Sequence, residues 1–392
     1  MNYMVLSDSL EMVGVELKAS WVQTRKANGD IIQARISNLI GSWKSGKFMD
    51  LTNRPWSLNT FVLSKVWFKC HTVDLRAMDI NSINSKIKSW VFQDQLEKPQ
   101  EMILFRPILR GGFGLHNVKF KALALRIRTF LETAINPNFQ QNLLHSILYR
   151  IHVLGDESVP VNPPIPPYFS PPFFQTIRHV KETTPLNVAT MSTKQWYRLL
   201  VEEEVTMYQL EDNQRDFIMS RAELSSPTND WERTWRRCRL KGLGSEATSF
   251  LWKLVHHLLP TEDRLSNILP NNSSNCKLCP APIMADLTHC FFNCISTKEI
   301  GGKLLITIAH FDSSVTPDKL LRLEFQADGS QEMPLVWITA QTLLYLWTVR
   351  CTGKIVDSNQ CRASLESKIS LLRETRFQNE YTILREIFVN NL

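Results

Sequence analysis

Four potential metal ligands lie close together in the C-terminal half of the chain: Cys276, Cys279, His289 and Cys294, in the pattern C-x2-C-x9-H-x4-C. Three thiolates and one imidazole are a common ligand set for structural Zn²⁺, which binds four such groups tetrahedrally. Because protein groups would fill all four positions, we predict a structural zinc and no catalytic one. The other interpretation is that these are ordinary buried thiols and a core histidine. We leave Cys290 outside the ligand set, since neighbouring side chains point in different directions.

The overall amino-acid composition is that of a globular, slightly basic protein. The chain has 392 residues, enough for two or three domains, and 43% of them are hydrophobic. Its 45 Lys and Arg against 38 Asp and Glu give a net charge of +7, which suits nucleic acid without requiring it. Eight cysteines are too few for a disulfide scaffold in a chain of this length. The first residues, MNYMVLSDSLEMVG, do not predict a signal peptide, because they contain no basic stretch followed by an apolar one. We therefore expect a nuclear or cytoplasmic protein that is neither secreted nor membrane-bound.

Periodicity predicts a mainly α-helical chain. Residues 3–17 predict two short strands on either side of Ser7-Asp8-Ser9. Apolar residues three and four apart then predict helices at about 31–51, 56–70, 79–92 and 118–134. Asp79 is placed to cap the third of these helices. The longest apolar run, 335–347, is shorter than the roughly 18 residues of a membrane span and predicts a buried helix.

Basic residues cluster in two of the predicted helices and near the metal motif. The first group is Lys119, Lys121, Arg126 and Arg128. The second follows Trp231 and consists of Arg233, Arg236, Arg237, Arg239 and Lys241, and Arg264 and Lys277 flank the metal motif. These residues either contact the phosphates of a nucleic acid or form an ordinary solvated face. Trp231 and Trp235 either stack on unpaired bases or form the buried stripe of a helix.

A series of short motifs runs through the first half of the chain: ISNLIGSW at 36–43, NR at 53–54, FVLSKVW at 61–67, INSKIKSWVF at 83–92, GGFGL at 111–115 and ALALR at 122–126. In this order they resemble the region after the catalytic palm in reverse transcriptases of non-LTR (LINE-type) retrotransposons. The family usually has leucine where this chain has Phe113. A further motif, FLWKLVHHLLPTEDRL at 250–265, precedes the Cys/His pattern, as in the zinc-binding region near the end of those polyproteins.

Pattern and resemblance together predict five segments. The resemblance implies that residues 1–30 are the C-terminal remnant of the palm sheet and residues 31–150 a thumb-like helical region. Seven prolines between 160 and 172 predict a semi-rigid linker over 151–190, or else a ligand for a proline-recognition module. Ser192 can then cap a helix in a region, 191–295, that carries the CCHC zinc-binding segment. Residues 296–392 predict a C-terminal helical region whose last charged helix spans about 361–387.

Glycines at 111, 112 and 114 predict tight backbone turns. We do not interpret them as a phosphate-cradling loop, because neither a Lys-Ser/Thr pair nor a strand-to-helix G-x-G-x-x-G context accompanies them. The chain also contains no Asp-Asp pair, although a reverse transcriptase needs paired carboxylates to hold two metal ions. We therefore expect no enzyme activity from the chain on its own and no small-molecule substrate.

Three functional hypotheses remain at this point. The first is a truncated retrotransposon protein that binds RNA, RNA–DNA hybrid or single-stranded DNA through basic helices around a structural zinc. The second is a scaffold or inert fragment without a nucleic-acid partner. The third is part of an RNA-directed DNA polymerase whose palm is encoded upstream. Zn²⁺ with three thiolates carries a net charge of −1, so the metal itself will not attract phosphate. The sequence does not predict an oligomeric state.

Overall fold

The structure is a computed structural model that describes residues 9–12, 14–18, 20–43, 51, 53–93, 101–135, 171–211, 230–269, 271–327, 329–372 and 377–391. Over these residues the chain is mainly helical, as predicted, with one pair of short strands. The chain divides into two compact units. The first comprises Met1–Phe48, Asn53–Phe105 and Gly114–Asn213. The second comprises Met49–Thr52, Arg106–Phe113 and Gln214–Leu392.

The first unit begins with a hairpin of β1 (Ser9–Met12) and β2 (Val15–Lys18), paired antiparallel with Leu10 opposite Leu17. Its turn contains Gly14 at φ +75°, a conformation that glycine adopts without steric cost. The predicted turn at Ser7-Asp8-Ser9 is therefore wrong, because Ser9 already belongs to β1. The first predicted strand, at about 3–6, lies outside the described residues.

Helix α1 (Trp21–Ser42) starts ten residues before the predicted position. Ser20 caps it by accepting a hydrogen bond from the backbone N–H of Gln23. The early part of its buried face consists of Thr24, Asn28 and Gly29. These small and polar residues produce no apolar periodicity, so the sequence does not predict the first turns of the helix. Asn28 holds the hairpin by pairing with both backbone groups of Glu16.

The next helical segments are α2 (Asn53–Ser57), a π-helical turn (Leu58–Leu63), α3 (Ser64–Cys70) and α4 (Ala77–Val91). The N-cap of α4 is Arg76, so the prediction that Asp79 caps this helix is wrong. Asp79 lies in the first turn instead, where its carboxylate accepts a hydrogen bond from the backbone N–H of Arg76. The acidic group still stabilises the positive end of the helix.

The remaining helices of the first unit are α5 (Glu101–Phe105), α6 (Val118–Ile135), α7 (Pro171–Thr183) and α8 (Thr193–Glu211). Ser192 caps α8 as predicted, by accepting from the N–H of Gln195. The core includes Phe130 of α6, Ile177 of α7 and Trp196 of α8. Residues 171–183 are thus part of a hydrophobic core, and the proline-rich run before them, 160–170, lies outside the described residues.

The second unit contains a 3₁₀ turn (Ile108–Arg110) and the helices α9 (Trp231–Arg237), α10 (Ser245–Val255), α11 (Glu262–Ile268), α12 (Lys298–Ala309), α13 (Pro317–Leu321), α14 (Gly329–Cys351), α15 (Ser358–Leu372) and α16 (Gln378–Asn391). Every side chain of α14 from Pro334 to Leu344 is buried, which confirms the predicted buried helix. The sequence predicts one last helix over about 361–387, whereas the structure has two, α15 and α16. No glycine or proline between them indicates the division in the sequence. None of the helices in the described part has both the length and the apolar composition for crossing a membrane.

Candidate metal centre

Cys276 and Cys279 lie in a narrow hairpin-like loop of the second unit. The N–H of Cys276 donates to the carbonyl of Ile283 at 2.8 Å, and the N–H of Ala285 donates to the carbonyl of Ser274 at 2.9 Å. These bonds close the loop on both sides of the C-x2-C pair. The Cys276 thiol also accepts a hydrogen bond from the backbone of Leu278, a geometry that favours the thiolate.

His289 begins a π-helical turn (His289–Asn293), and Cys294 is the residue that caps its end. The N–H of Cys294 donates to the carbonyl of His289 at 2.8 Å, which is the i→i+5 bond of a π-turn. Asp286 accepts from the N–H of His289 at 2.7 Å and so fixes the start of the turn. This bond brings the backbone of Cys294 back next to that of His289, so both side chains can reach one site.

The four side chains Cys276, Cys279, His289 and Cys294 converge, with their potential ligand atoms all within 4.8 Å of one another. The Cys276–Cys294 and Cys279–Cys294 sulfur pairs are both 3.7 Å apart, and the Cys279 sulfur lies 3.5 Å from Nε2 of His289. A tetrahedral ion with Zn–S bonds of about 2.3 Å and a Zn–N bond of about 2.0 Å places sulfurs about 3.8 Å apart and sulfur and nitrogen about 3.5 Å apart. The donor set therefore fits zinc.

Arg350 is a member of this site that the sequence did not indicate. It lies on α14, and its guanidinium donates to the sulfurs of Cys276 and Cys294 at 3.4–3.5 Å. Its Nη2 also lies 2.9 Å from Oε2 of Glu262 on α11. Burial raises the pKa of Cys276, but the hydrogen bonds from Arg350, from the backbone of Leu278 and from His289, with the charge of Arg350, together outweigh it, and the pKa falls to about 6. Burial dominates at Cys294 and raises its pKa to about 11.

Cys290 is buried beside the cluster and does not belong to it. Its thiol donates to the carbonyl of Ala285, and its own carbonyl accepts from the hydroxyl of Thr297. Burial raises the pKa of this thiol well above its usual range, so it stays protonated. Its sulfur is not among the four ligand atoms that lie within 4.8 Å of one another, which agrees with leaving Cys290 outside the predicted set.

Several of the predicted phosphate-binding arginines are used inside the protein. Arg237 is 2% exposed and donates to the carbonyls of Leu323 and Phe325 and to the carboxylate of Glu332. Arg233 shares Glu332. We therefore remove Arg237 from the predicted nucleic-acid contacts, because a guanidinium with so little exposed surface cannot reach a phosphate.

The basic residues of α6 are also largely engaged. Arg126 is 9% exposed and lies over the ring of Phe173 at 5.1 Å, so it too is removed from the predicted contacts. Arg128 pairs with Glu132 and donates to two backbone carbonyls after α7. Lys121 is half-buried with its ammonium 5.7 Å from the ring of Tyr197, and burial lowers its pKa. Lys119 is exposed beside the ring of Phe120.

Near the metal motif, Arg264 caps the end of α10 by donating to the carbonyl of His257, and it is half-buried. Three other predicted contacts of the second unit remain on its surface: Arg236, Lys241 and Lys277. The Arg236 side chain is 60% exposed, and its ion pair with Glu232 is a surface pair on one helix. These three, with Lys119, are the predicted contacts that solvent reaches most freely.

The glycine motif (Arg106–Phe113) belongs to the second unit and packs against α9 and α10. The carbonyl of Gly111 accepts from Nε1 of Trp252 at 2.9 Å and from Nε2 of His256 at 2.8 Å. Burial lowers the pKa of His256 to about 3, so the imidazole is neutral. The N–H groups of Gly111 and Gly112 donate to carbonyls within the motif, so neither is available to bind a phosphate.

Trp231 and Trp235 form a stack that continues into the protein. Trp235 is 4% exposed and stacks on His256 with ring centroids 4.5 Å apart. Trp231 is half-buried and stacks on Trp235 at 6.0 Å. Of the two interpretations, the buried stripe applies to Trp235, because its ring has no free face for a base.

A family model described as zinc-binding in reverse transcriptase matches residues 217–300. The match includes all four potential ligands and ends before α14. It supports a reverse-transcriptase-related protein and describes a zinc-binding region, which agrees with the ligand geometry above. No curated protein matches the chain.

Proposed function

We propose that the chain is the C-terminal portion of a LINE-type retrotransposon reverse transcriptase, which binds RNA or RNA–DNA hybrid around a structural zinc. The observation that carries this proposal is that one reverse-transcriptase zinc-binding model spans the four residues whose ligand atoms converge within 4.8 Å. The LINE-type assignment is supported by the order of the short motifs in the first half of the chain. Without paired palm carboxylates we expect no polymerase activity from this chain alone.

The zinc has a structural role in this proposal, and the nucleic acid is bound by basic side chains. Three thiolates give the zinc centre a net charge of −1, which repels phosphate. The candidates for phosphate contact are the exposed Arg236, Lys241 and Lys277 of the second unit, because basic groups on a surface neutralise phosphates and release counterions. The zinc site fixes the loop from which Lys277 projects.

A second candidate function is a scaffold that binds no nucleic acid. The observation in its favour is that Arg237 and Arg126, although basic, are buried, and that Arg233 and Arg128 bond to acidic side chains and carbonyls. Such arginines hold a fold together without any partner. The two candidates differ in what happens when only exposed positive charges are removed.

The test is a salt titration of the full chain with labelled RNA, single-stranded DNA and RNA–DNA hybrid, measured by fluorescence anisotropy. The variant R236Q/K241Q/K277Q removes the three exposed charges of the second unit. The matched control R178Q/K181Q/K194Q removes three exposed charges of the first unit. If all three residues contact phosphates, the slope of log K against log salt falls by about 2 for single strands.

The proposal predicts that the first triple variant loses affinity at every salt concentration and the control does not. Equal losses in both would indicate attraction by net charge alone. No binding of any of the three nucleic acids by the zinc-loaded wild type at low salt would establish the scaffold instead. Primer extension on an RNA template with the same preparation checks the expected lack of polymerase activity.

A further inference from the structure

Arg350 reaches the metal site from a helix outside the region that the zinc-binding family model covers. The family match ends at residue 300, whereas Arg350 lies in the last turn of α14. Its side chain is only 5% exposed, and that of its partner Glu262 is 15% exposed. The guanidinium lies between this carboxylate and the sulfurs of Cys276 and Cys294.

The chemistry of the site requires a group of this kind. Zinc with three thiolates carries a net charge of −1, and a buried charge is costly unless it is paired and hydrogen-bonded. A guanidinium has five N–H donors in a rigid plane, so Arg350 can bond to two sulfurs and a carboxylate at once. A lysine ammonium offers a single point charge and cannot bridge all three.

We propose that Arg350 is a positioning residue of the zinc site. Its guanidinium offsets the charge of the Cys276 and Cys294 thiolates, slows loss of the metal and makes these two sulfurs less nucleophilic than that of Cys279. Glu262 holds the guanidinium in place. The complete site therefore includes α14, beyond the matched residues. This inference rests on the zinc part of the proposed function and is independent of nucleic-acid binding.

The experiment compares the full-length wild type with four variants, all loaded with one equivalent of zinc. R350M removes the charge with little change in volume, and R350K keeps a charge without the fork. R350M/E262Q also removes the carboxylate that R350M leaves unpaired. The control R322M breaks another ion pair of low exposure, Arg322 with Glu324, in the same unit.

Two readouts are taken: the rate of zinc transfer to a chromogenic chelator, and alkylation of each cysteine by iodoacetamide, located by peptide mass spectrometry. We expect R350M to release zinc about 10 to 100 times faster, the usual effect of losing a group that supports metal ligands. We expect R350K to lie between R350M and the wild type, and R322M to match the wild type. The double variant should behave like R350M, because the lost sulfur contacts, and not the unpaired Glu262, cause the effect.

The alkylation pattern separates this role from simple loosening of the fold. Arg350 contacts Cys276 and Cys294, so these two thiolates should gain reactivity in R350M, while Cys279 changes little. An equal gain at all three cysteines, or recovery of zinc retention in the double variant, would overturn the inference. If the wild type binds zinc and R350M releases it at the wild-type rate, the role of Arg350 is overturned and the zinc proposal stands. A wild type that binds no zinc overturns both.

Discussion

Each of the two compact units buries a negatively charged centre and pairs it with an arginine, but the arginines come from very different places. In the first unit, Asp79 is fully buried and accepts two side-chain bonds from Arg76, three residues earlier. In the second unit, the Cys276 and Cys294 sulfurs accept bonds from Arg350, which is 74 and 56 residues away in sequence. A local pair of this kind can be built by one helical turn, whereas the distant one requires the whole unit to fold.

This difference predicts how each centre responds when it is broken. Loss of the local pair should destabilise the first unit without affecting metal binding. Loss of the metal site should loosen a region assembled from distant segments. The predictions below follow from this comparison, from the largest expected effect to the smallest.

The largest effect is expected from Cys279→Ser. Structural zinc contributes about 10–16 kcal/mol of binding free energy in small zinc domains, and removing one of the four ligands forfeits much of it. We expect loss of the zinc and faster hydrogen exchange, first in residues 260–295, with RNA affinity decreasing only as a consequence. The measurements are metal analysis and hydrogen exchange by mass spectrometry.

Cys290→Ser is the matched control, because Cys290 is buried beside the ligands without belonging to them. It should retain one zinc per chain. Loss of zinc in this variant would contradict the ligand assignment. Loss of RNA affinity in Cys279→Ser with an unchanged exchange pattern and melting curve would contradict the division between a structural zinc and a basic binding surface.

The next largest effect is expected from Gly111→Ala. Gly111 has φ +78°, and a Cβ there would lie 2.6 Å from Cε2 of Trp235. The strained backbone costs about 1 kcal/mol and the overlap a further 1–3 kcal/mol. Gly353→Ala is the control, because Gly353 of the same unit has φ +69° and a Cβ there would meet no atom within 4 Å. Denaturant unfolding should show the larger loss for Gly111→Ala; equal losses would mean that the glycine motif is not tightly packed against α9.

Asp79→Asn should reduce the free energy of unfolding of the first unit by about 1–3 kcal/mol, since it weakens buried, charge-assisted hydrogen bonds. Burial raises the pKa of Asp79, but the hydrogen bonds and the charge of Arg76, with the hydrogen bond from Gln33, together outweigh it, so the net shift is downward. Because the pKa of Asp79 is lower in the folded state than in the unfolded state, its carboxylate stabilises the protein above about pH 4. This contribution is lost as the pH falls through the folded-state pKa.

The gap in stability between wild type and Asp79→Asn should therefore narrow as the pH is lowered below about 4. Asp30→Asn is the control, because Asp30 is 57% exposed and bonds to the same Arg76. Zinc content should be unchanged in both variants. A gap that widens in acid would contradict the assignment of Asp79 as a stabilising carboxylate.

The smallest effect on stability is expected from Arg236→Gln. Its ion pair with Glu232 is exposed, and such pairs contribute less than about 1 kcal/mol. We expect an unfolding midpoint close to that of the wild type together with weaker RNA binding. A clear loss of stability without any change in RNA affinity would place Arg236 with Arg237 among the structural arginines.

The parts of the structure that follow local rules could be predicted from the sequence. Spacing alone was enough to place Cys276, Cys279, His289 and Cys294 together, because a C-x2-C loop and a one-turn H-x4-C pair leave few arrangements. The same holds for α6, for the Ser192 cap and for the buried helix around Trp337. The start of α1 could not be predicted, because its buried side chains there are polar or small.

Features that depend on distant contacts could not be predicted. Nothing near Arg350 in sequence distinguishes it from a surface arginine, and only the packing of α14 brings it to the sulfurs. Arg237 and Arg126 belong to basic clusters, yet folding buries them against carbonyls or an aromatic ring. The glycine motif likewise shows its turns in the sequence but not its packing against Trp252 and His256.

The most direct test is the zinc stoichiometry of the full-length chain purified without added metal and measured by elemental mass spectrometry. We predict one zinc per wild-type chain, one in Cys290→Ser and none in Cys279→Ser. A wild-type chain that carries no zinc and takes up none when it is supplied, or a Cys279→Ser variant that retains a full equivalent, would contradict the assignment of these four residues as a structural zinc site.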